Sequence, residues 1–181
     1  SDYNKVKNIE EFANKVDVVT FEFENIPFKI LEYIEKLKPV LPKPTVNQIV
    51  QNRFTEKKFI LNTAGAFNEL GIKTADYALI KEKSDILKNE GLLPGILKTC
   101  TLGYDGKGQF IINNTEEVNK LEIDFDKKYI LEKKIILKKE ISIIITRFSK
   151  NECLIFDPFE NFHVNQILNR SVIPADITKD I

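Results

Sequence analysis

A glycine-rich stretch with the sequence GYDGKGQ, Gly103–Gln109, constrains the fold of this chain more than any other feature. It lies between two apolar runs that are typical of β-strands, Gly95–Thr99 and Gln109–Ile112. Three of the seven glycines fall within six residues here, and alternate glycines allow successive backbone N–H groups to face one anion. The stretch is therefore either a loop that covers a phosphate or a flexible hairpin, for which Asp105–Gly106 is a good turn signal.

Composition limits the classes of partner. The 181 residues are 43% hydrophobic, which is enough to bury a core, and 27 basic residues balance 27 acidic ones. No segment is basic enough to predict a nucleic-acid surface. The two cysteines, Cys100 and Cys153, are too few for a disulfide framework or a zinc site. No apolar run approaches the roughly 20 residues of a membrane span, and we expect a cytoplasmic protein without a membrane partner.

The sequence contains no methionine, even at position 1. We therefore expect the chain to be a piece of a longer protein.

The first 44 residues alternate between helix and strand patterns. Helices are predicted over 9–15 and 28–38, and strands over Asp17–Phe23 and Val40–Leu41, an order typical of a parallel α/β layer. Glu22 and Glu24 lie at the carboxyl end of the first strand, with Phe21 and Phe23 on its other face. The two glutamates are either solvent-exposed or acceptors for a polar substrate.

Two helices follow a predicted boundary at Pro42–Pro44. Arg53 begins the second of them, over 54–70, and its guanidinium either pairs with Glu56 or Glu69 on the surface or reaches a phosphate. Predicted helix N-caps in the whole chain are Asn8, Thr45 and Thr115.

From Tyr77 onward the pattern predicts a small α+β unit, with strands over 77–80, 96–99, 109–113 and 129–133. Lys98 ends an apolar strand on the face of Ile96, beside the glycine-rich stretch, and its burial is costly unless it meets an anion or water. Further on, 140–148 is predicted to be one long strand with a hairpin partner at 153–156. His163 is the single histidine of the sequence and by itself indicates only a surface residue.

Taken together, these stretches resemble the ATP-grasp superfamily and, within it, are similar to the 5-(carboxyamino)imidazole ribonucleotide synthases. The resemblance follows an ordered series along nearly the whole chain: 18–27, 51–53 with Glu56–Lys57, Leu97–Lys98, 103–109, Glu132–Lys133, 140–142, Glu160–Asn161 with His163, Ile167–Leu168 and Pro174–Ala175.

The resemblance implies an α/β and α+β fold with four parts. These are the end of a Rossmann-like preATP-grasp domain (1–44), connecting helices (45–76), the small ATP-grasp lid subdomain (77–133) and the start of the C-terminal ATP-grasp subdomain (134–181).

The resemblance also implies site residues. The residues implied to bind ATP are Arg53, Lys98, Gly103, Tyr104, Asp105, Gly106, Lys107, Gly108, Gln109, Glu132, Lys133, Lys134, Ile135, Glu140 and His163. Those implied to act in catalysis are Lys98, Tyr104, Asp105 and Lys107, and those implied to bind the imidazole ribonucleotide are Glu22, Glu24, Tyr104 and Lys107. Within these sets, Lys133, Lys134 and Ile135 would hold adenine through the main chain.

The implied reaction carboxylates 5-aminoimidazole ribonucleotide with bicarbonate and ATP through carboxyphosphate, with Mg²⁺ as cofactor and a homodimer as the assembly. The magnesium ligands and a substrate-phosphate segment are expected after Ile181, so we expect this chain by itself to be inactive. The alternatives are another ATP-grasp ligase, such as formate-dependent glycinamide ribonucleotide transformylase or a biotin-dependent carboxylase subunit, and a nucleotide-binding module without catalysis.

Overall fold

A computed structural model of the chain describes residues 5–64, 73–102, 108–164 and 167–178. The described residues divide into two compact units, which meet in the sequence between Lys134 and Ile135. The four-part division of the sequence stays a prediction.

The first unit opens with two helices around a short parallel contact. Helices α1 (Val6–Ala13) and α2 (Phe28–Glu35) pack against Val19 and Val40, which form a single parallel bridge. The Val19 amide donates to the Pro39 carbonyl at 2.9 Å, and the Leu41 amide donates to the Val19 carbonyl at 2.9 Å. The predicted strand over Asp17–Phe23 was wrong, because prolines on both sides of Val40–Leu41 lack the N–H groups that a longer ladder needs.

Helices α3 (Pro44–Val50) and α4 (Arg53–Ala64) follow. The buried Asn47 of α3 donates through its side-chain nitrogen to the Ile26 carbonyl at 3.1 Å, and the Gln51 side chain donates to the carbonyls of Glu24 and Ile26. These hydrogen bonds attach the segment that carries Glu24 to the helices that precede the sheet.

The three predicted N-caps were wrong. Lys5 precedes the first turn of α1, whereas Asn8 lies inside the helix. Lys43 precedes α3, which begins at Pro44, one residue before Thr45; proline suits the first helical position because its missing N–H would have no partner there. Asn114 caps helix α6 (Thr115–Asn119) one residue before Thr115, since its side chain accepts from the Glu117 amide at 3.0 Å.

A four-stranded antiparallel sheet forms the rest of the first unit. Its strands are β1 (Tyr77–Ile80), β2 (Gly95–Thr99), β3 (Gln109–Ile112) and β4 (Tyr129–Lys133), in the spatial order β1-β4-β2-β3. Helices α5 (Lys83–Lys88) and α6 pack on one face and enclose a core of buried side chains. That core consists of Ile80, Ile86, Leu97, Ile112, Val118, Tyr129 and Leu131.

The described residues of the second unit form five short strands. They are β5 (Ile141–Ser142), β6 (Ile145–Arg147), β7 (Cys153–Ile155), β8 (Phe159–Val164) and β9 (Ile167–Val172). The predicted pairing of 140–148 with 153–156 is present as β6 with β7, but the single long strand was wrong. β5 pairs instead with β8, so the predicted strand is divided between two sheets.

The second unit buries little apolar surface. Among its described residues only Ala175 is a buried hydrophobic side chain, while Ile136 is 95% exposed. None of the described helices has the length and apolar content required to cross a membrane.

Candidate functional site

The face of the four-stranded sheet opposite the buried core carries charged side chains. Tyr77 of β1 and Ile96 of β2 lie directly across from Glu132 of β4, and Lys98 lies across from Ile130. Residues that are directly opposite in an antiparallel pair share a face, so all five lie on one face of the sheet. Lys98 and Ile96 therefore share a face, as the sequence predicts.

Glu132 is the centre of this charged group. Its Oε2 atom is 2.9 Å from the Lys98 Nζ and 3.6 Å from the Lys57 Nζ, and only 11% of its side chain is exposed. A carboxylate is costly to bury without a partner, and two ammonium groups offset that cost here. The anion that Lys98 requires in an apolar strand is thus supplied, in this structure, by Glu132.

Helix α4 brings Lys57 to this face. The Lys57 ammonium lies 5.7 Å from the centre of the Tyr77 ring, and Phe54 meets the same ring edge-on at a centroid distance of 5.8 Å. Sequence reasoning assigned no role to Lys57. Its position four residues after Arg53, on the same face of the helix, is the signal that could have identified it.

Arg53 ties the start of α4 to the end of β2. Its Nη1 atom donates to the carbonyls of Thr99 at 2.7 Å and Leu102 at 2.6 Å, and its amide donates to the Cys100 carbonyl at 2.8 Å. Leu102 has a φ of 62°, a left-handed conformation that is uncommon for leucine. Arg53 therefore fixes the backbone just before the glycine-rich stretch.

The stretch itself falls mostly outside the described residues. Gly103, Tyr104, Asp105, Gly106 and Lys107 are not among them, so their predicted roles stay predictions. The two described residues at its end are held by the sheet. The Gly108 carbonyl accepts from the Thr99 amide at 3.0 Å, and Gln109 pairs with Lys98 across β2 and β3.

In the run from Glu132 to Ile135, two backbone amides already donate hydrogen bonds within the protein. The Lys133 amide donates to the Asp76 carbonyl at 2.9 Å, and the Lys134 amide donates to the Pro94 carbonyl at 2.9 Å. At these two positions a ligand would have to use the carbonyl oxygens. Ile135 follows as the first residue of the second unit, and it is exposed.

Glu22 and Glu24 are exposed on an irregular segment. The expectation that Phe21 and Phe23 share the opposite face was wrong: Phe21 packs on the core formed by α1 and α2, while Phe23 is 68% exposed. Without a regular strand there is no strict alternation to place the two rings together.

Glu24 also acts on the carboxyl group of Glu56 in α4. The pKa of Glu56 is raised, first because burial disfavours its charged form and second because the Glu24 carboxylate is near. The charges of Arg53 and Lys57 oppose this shift. Glu24 therefore lies close enough to α4 to influence the titration of Glu56.

In the second unit, two predicted site residues lie together. The Nδ1 atom of His163 is 3.4 Å from the Glu140 carboxylate. Next to them, Lys139 contacts Glu160 at 3.1 Å and Asp176 at 3.3 Å, and the hydrogen bond to Glu160 is the largest cause of its raised pKa. Glu140, just before β5, therefore lies next to His163, and Glu160 of β8 lies next to Lys139.

Within residues 5–64, 73–102, 108–164 and 167–178, no group of three or more acidic, histidine or cysteine side chains is arranged to hold a metal ion.

A lysine–glutamate pair on an antiparallel sheet, next to a glycine-rich connection, fits a class of nucleotide-using enzymes. The ATP-grasp domain family matches residues 65–181, and the ribonucleotide synthetase preATP-grasp domain matches residues 1–51. The chain therefore belongs to the ATP-grasp family, as the sequence motifs predict.

Within that family the chain is similar to N5-carboxyaminoimidazole ribonucleotide synthases. It is 36% identical over 181 residues to the enzyme of Brucella melitensis biotype 1, and the aligned region covers 97% of this chain and 48% of the relative. It is 35% identical over 182 residues to the enzyme of Bacillus subtilis strain 168, covering 99% and 46%. The crystal structure of the Staphylococcus aureus N5-carboxyaminoimidazole synthetase complexed with ADP matches with a TM-score of 0.85 and 34% identity, covering 99% of this chain and 47% of that one.

The chain spans about half the length of the curated relatives that it matches.

Proposed function

We propose that this chain supplies part of the nucleotide site of an enzyme that carboxylates 5-aminoimidazole ribonucleotide with ATP and bicarbonate. Its product would be N5-carboxyaminoimidazole ribonucleotide, a purine precursor. The observation that carries the proposal is the Lys98–Glu132 pair at 2.9 Å, in a chain 36% identical to a synthase of that name.

The chemistry of this face suits a polyphosphate. Lys98 and Lys57 present two ammonium groups, and the backbone beyond them leads into alternate glycines whose N–H groups can face an anion. A relative from Staphylococcus aureus was crystallised with ADP. Lys98 and Arg53 would contact phosphates, and Gly103–Gln109 would cover them.

The remaining roles follow the same proposal. Adenine would lie against the main chain of Glu132–Ile135, through the Lys133 and Lys134 carbonyls and the Ile135 amide. Glu140 would bind the ribose hydroxyls, with His163 beside it. Glu22 and Glu24 would bind the imidazole ribonucleotide, together with Tyr104 and Lys107.

The reaction would transfer the γ-phosphoryl group of ATP to bicarbonate and give ADP and carboxyphosphate. The exocyclic amine of the ribonucleotide would then attack the carboxyl carbon, and the C–O bond to phosphate would break, so that inorganic phosphate leaves with the amine proton. Such chemistry depends on positioning and on neutralising developing charge more than on a protein nucleophile. Lys98 would hold charge at the phosphates, and closure of the glycine-rich stretch, with Asp105 near the substrate, would exclude water. Magnesium, when bound, would neutralise phosphate charge. A cytoplasmic location and a homodimer complete the proposal.

The test is a turnover assay on a protein that contains this chain and has the full length of its relatives. We expect ADP release that requires both 5-aminoimidazole ribonucleotide and bicarbonate. ADP release that needs the ribonucleotide but not bicarbonate would contradict the carboxylation. Formate dependence would instead indicate a formate-using ATP-grasp ligase.

A further inference from the structure

Glu132 shares a single carboxylate oxygen between two ammonium groups. Lys98 contacts Oε2 at 2.9 Å from the neighbouring strand, and Lys57 lies 3.6 Å from the same atom, from helix α4. Their side chains are 22% and 15% exposed, so water solvates both ammonium groups only in part. Either lysine can therefore offset the charge of Glu132 when the other is drawn away.

The presence of two counter-ions for Glu132 becomes important when a polyphosphate binds. A lysine that contacts a phosphate has to loosen its contact with a carboxylate, and the phosphate adds negative charge near the same carboxylate. If Lys98 were the only counter-ion, its move would leave Glu132 nearly buried and unpaired next to a second anion, which is costly. A second cation that stays in place removes that cost.

The surroundings of Lys57 suit the role of the cation that stays. Its ammonium is 5.7 Å from the centre of the Tyr77 ring, and a ring face attracts a cation. Lys98, in contrast, stands at the end of β2, directly across from Gln109 at the end of the glycine-rich stretch. The two lysines are thus held on different elements, and only Lys98 lies on a strand that adjoins the stretch.

We propose that Lys57 is a positioning residue that serves as the resident counter-ion of Glu132 and releases Lys98 for a nucleotide phosphate. This role deepens the proposed function and rests on it for the ligand. The pairing with Glu132 is present without the ligand and can be tested separately.

The first experiment uses the chain without nucleotide. Urea midpoints are measured for wild type, Lys57→Gln, Lys98→Gln and the double variant, with Lys58→Gln as the control because Lys58 is exposed on the same helix. Each single substitution leaves Glu132 one ammonium group, whereas the double substitution leaves none. The double variant is therefore expected to lose more stability than the sum of the single losses. Additive losses would overturn the shared counter-ion role.

The second experiment measures ADP affinity by calorimetry. Lys57→Gln is expected to bind ADP about tenfold more weakly, Lys57→Arg to stay within about threefold of wild type, and Lys58→Gln to be unchanged. In a Glu132→Gln background, the same Lys57→Gln change is expected to alter affinity by less than about twofold, because no carboxylate is left unpaired.

The outcomes separate the two proposals. If wild type binds ADP, two results overturn the positioning role and leave the nucleotide site intact. One is that Lys57→Gln weakens ADP affinity equally in the wild-type and Glu132→Gln backgrounds. The other is that Lys57→Gln does not weaken ADP affinity at all. Absence of ADP binding to wild type overturns the nucleotide site, and with it the release of Lys98, while the urea cycle still decides whether Lys57 and Lys98 share Glu132.

Discussion

At the scale of single residues, Glu56 near the start of α4 is influenced by several charged groups at once and not by a single partner. Glu56 lies among the carboxylates of Glu24 and Glu132 and the cations of Arg53 and Lys57, all of which act on its titration. Burial is the largest of these influences and raises the pKa of Glu56 above its ordinary value. The folded state therefore binds a proton at Glu56 more tightly than the unfolded chain does.

This shift predicts a pH-dependent stability. The contribution of Glu56 is favourable below its ordinary pKa of 4.5 and is lost as pH rises through the higher folded pKa. Glu56→Gln is expected to raise the urea midpoint at pH 7, with a gain that shrinks toward zero near pH 4. The control is Glu32→Gln on the exposed face of α2. A gain that is independent of pH would contradict the assignment.

Lys98 illustrates what a residue pattern can and cannot predict. A lysine that ends an apolar strand has to meet an anion or water, and the sequence predicts that much. The identity of the anion depends on the strand order β1-β4-β2-β3, which brings Glu132 next to β2 across 34 positions of sequence. Pairing between strands that distant is a tertiary property, so the contacts that Glu132 makes with Lys98 and Lys57 did not follow from local spacing.

At the scale of elements, the close approach of β2 and β4 depends on a glycine. A Cβ at Gly95 would lie 2.9 Å from the Leu131 Cδ1, 2.9 Å from the Leu92 carbonyl oxygen and 3.1 Å from the Glu132 carbonyl oxygen. Two of these three atoms belong to the backbone and cannot turn aside as a side chain can. The position therefore excludes even a methyl group.

Gly95→Ala is expected to lower the free energy of unfolding by about 1–3 kcal/mol, because the backbone has to shift at the first residue of β2. Denaturant unfolding checks the value. Gly91→Ala is the matched control, since a Cβ there meets nothing within 4 Å, and it is expected to be neutral or slightly stabilising. Equal effects of the two substitutions would contradict the predicted clash.

The strand patterns of the first unit were read correctly where alternation and length agree. The predicted strands at 77–80, 96–99, 109–113 and 129–133 match β1 to β4 closely. The sequence predicts strands less well where a segment becomes a strand only through the partner that it pairs with. The Asp17–Phe23 run has strand-forming residues but only one bridged residue, and the β8–β9 hairpin was not anticipated from a segment of mixed polar and apolar residues.

At the scale of the whole molecule, the two units differ in how much apolar surface they bury. The first unit encloses two clusters of buried side chains, whereas Ala175 is the only buried hydrophobic among the described residues of the second. Local opening free energy follows such burial. The strands of the two units should therefore differ in stability although both are antiparallel.

Hydrogen–deuterium exchange measures this difference. Amides of β8 and β9 are expected to exchange on the order of a hundredfold faster than those of β4 and β2, because less apolar burial opposes their opening. The β1 amides provide the internal control, since β1 is an edge strand on a buried core. Protection of β8 equal to that of β4 would contradict the account.

The central claim is that the sheet face with Lys98 and Glu132 binds a nucleotide, and an ADP titration followed by amide NMR tests it most directly. We predict that ADP shifts the resonances of β2 and β4 at Lys98, Glu132 and Lys133. We also predict that Lys98→Ala weakens ADP binding at least about tenfold, while Lys58→Ala does not. Unchanged ADP affinity in Lys98→Ala, or shifts confined to residues away from these two strands, would contradict the claim.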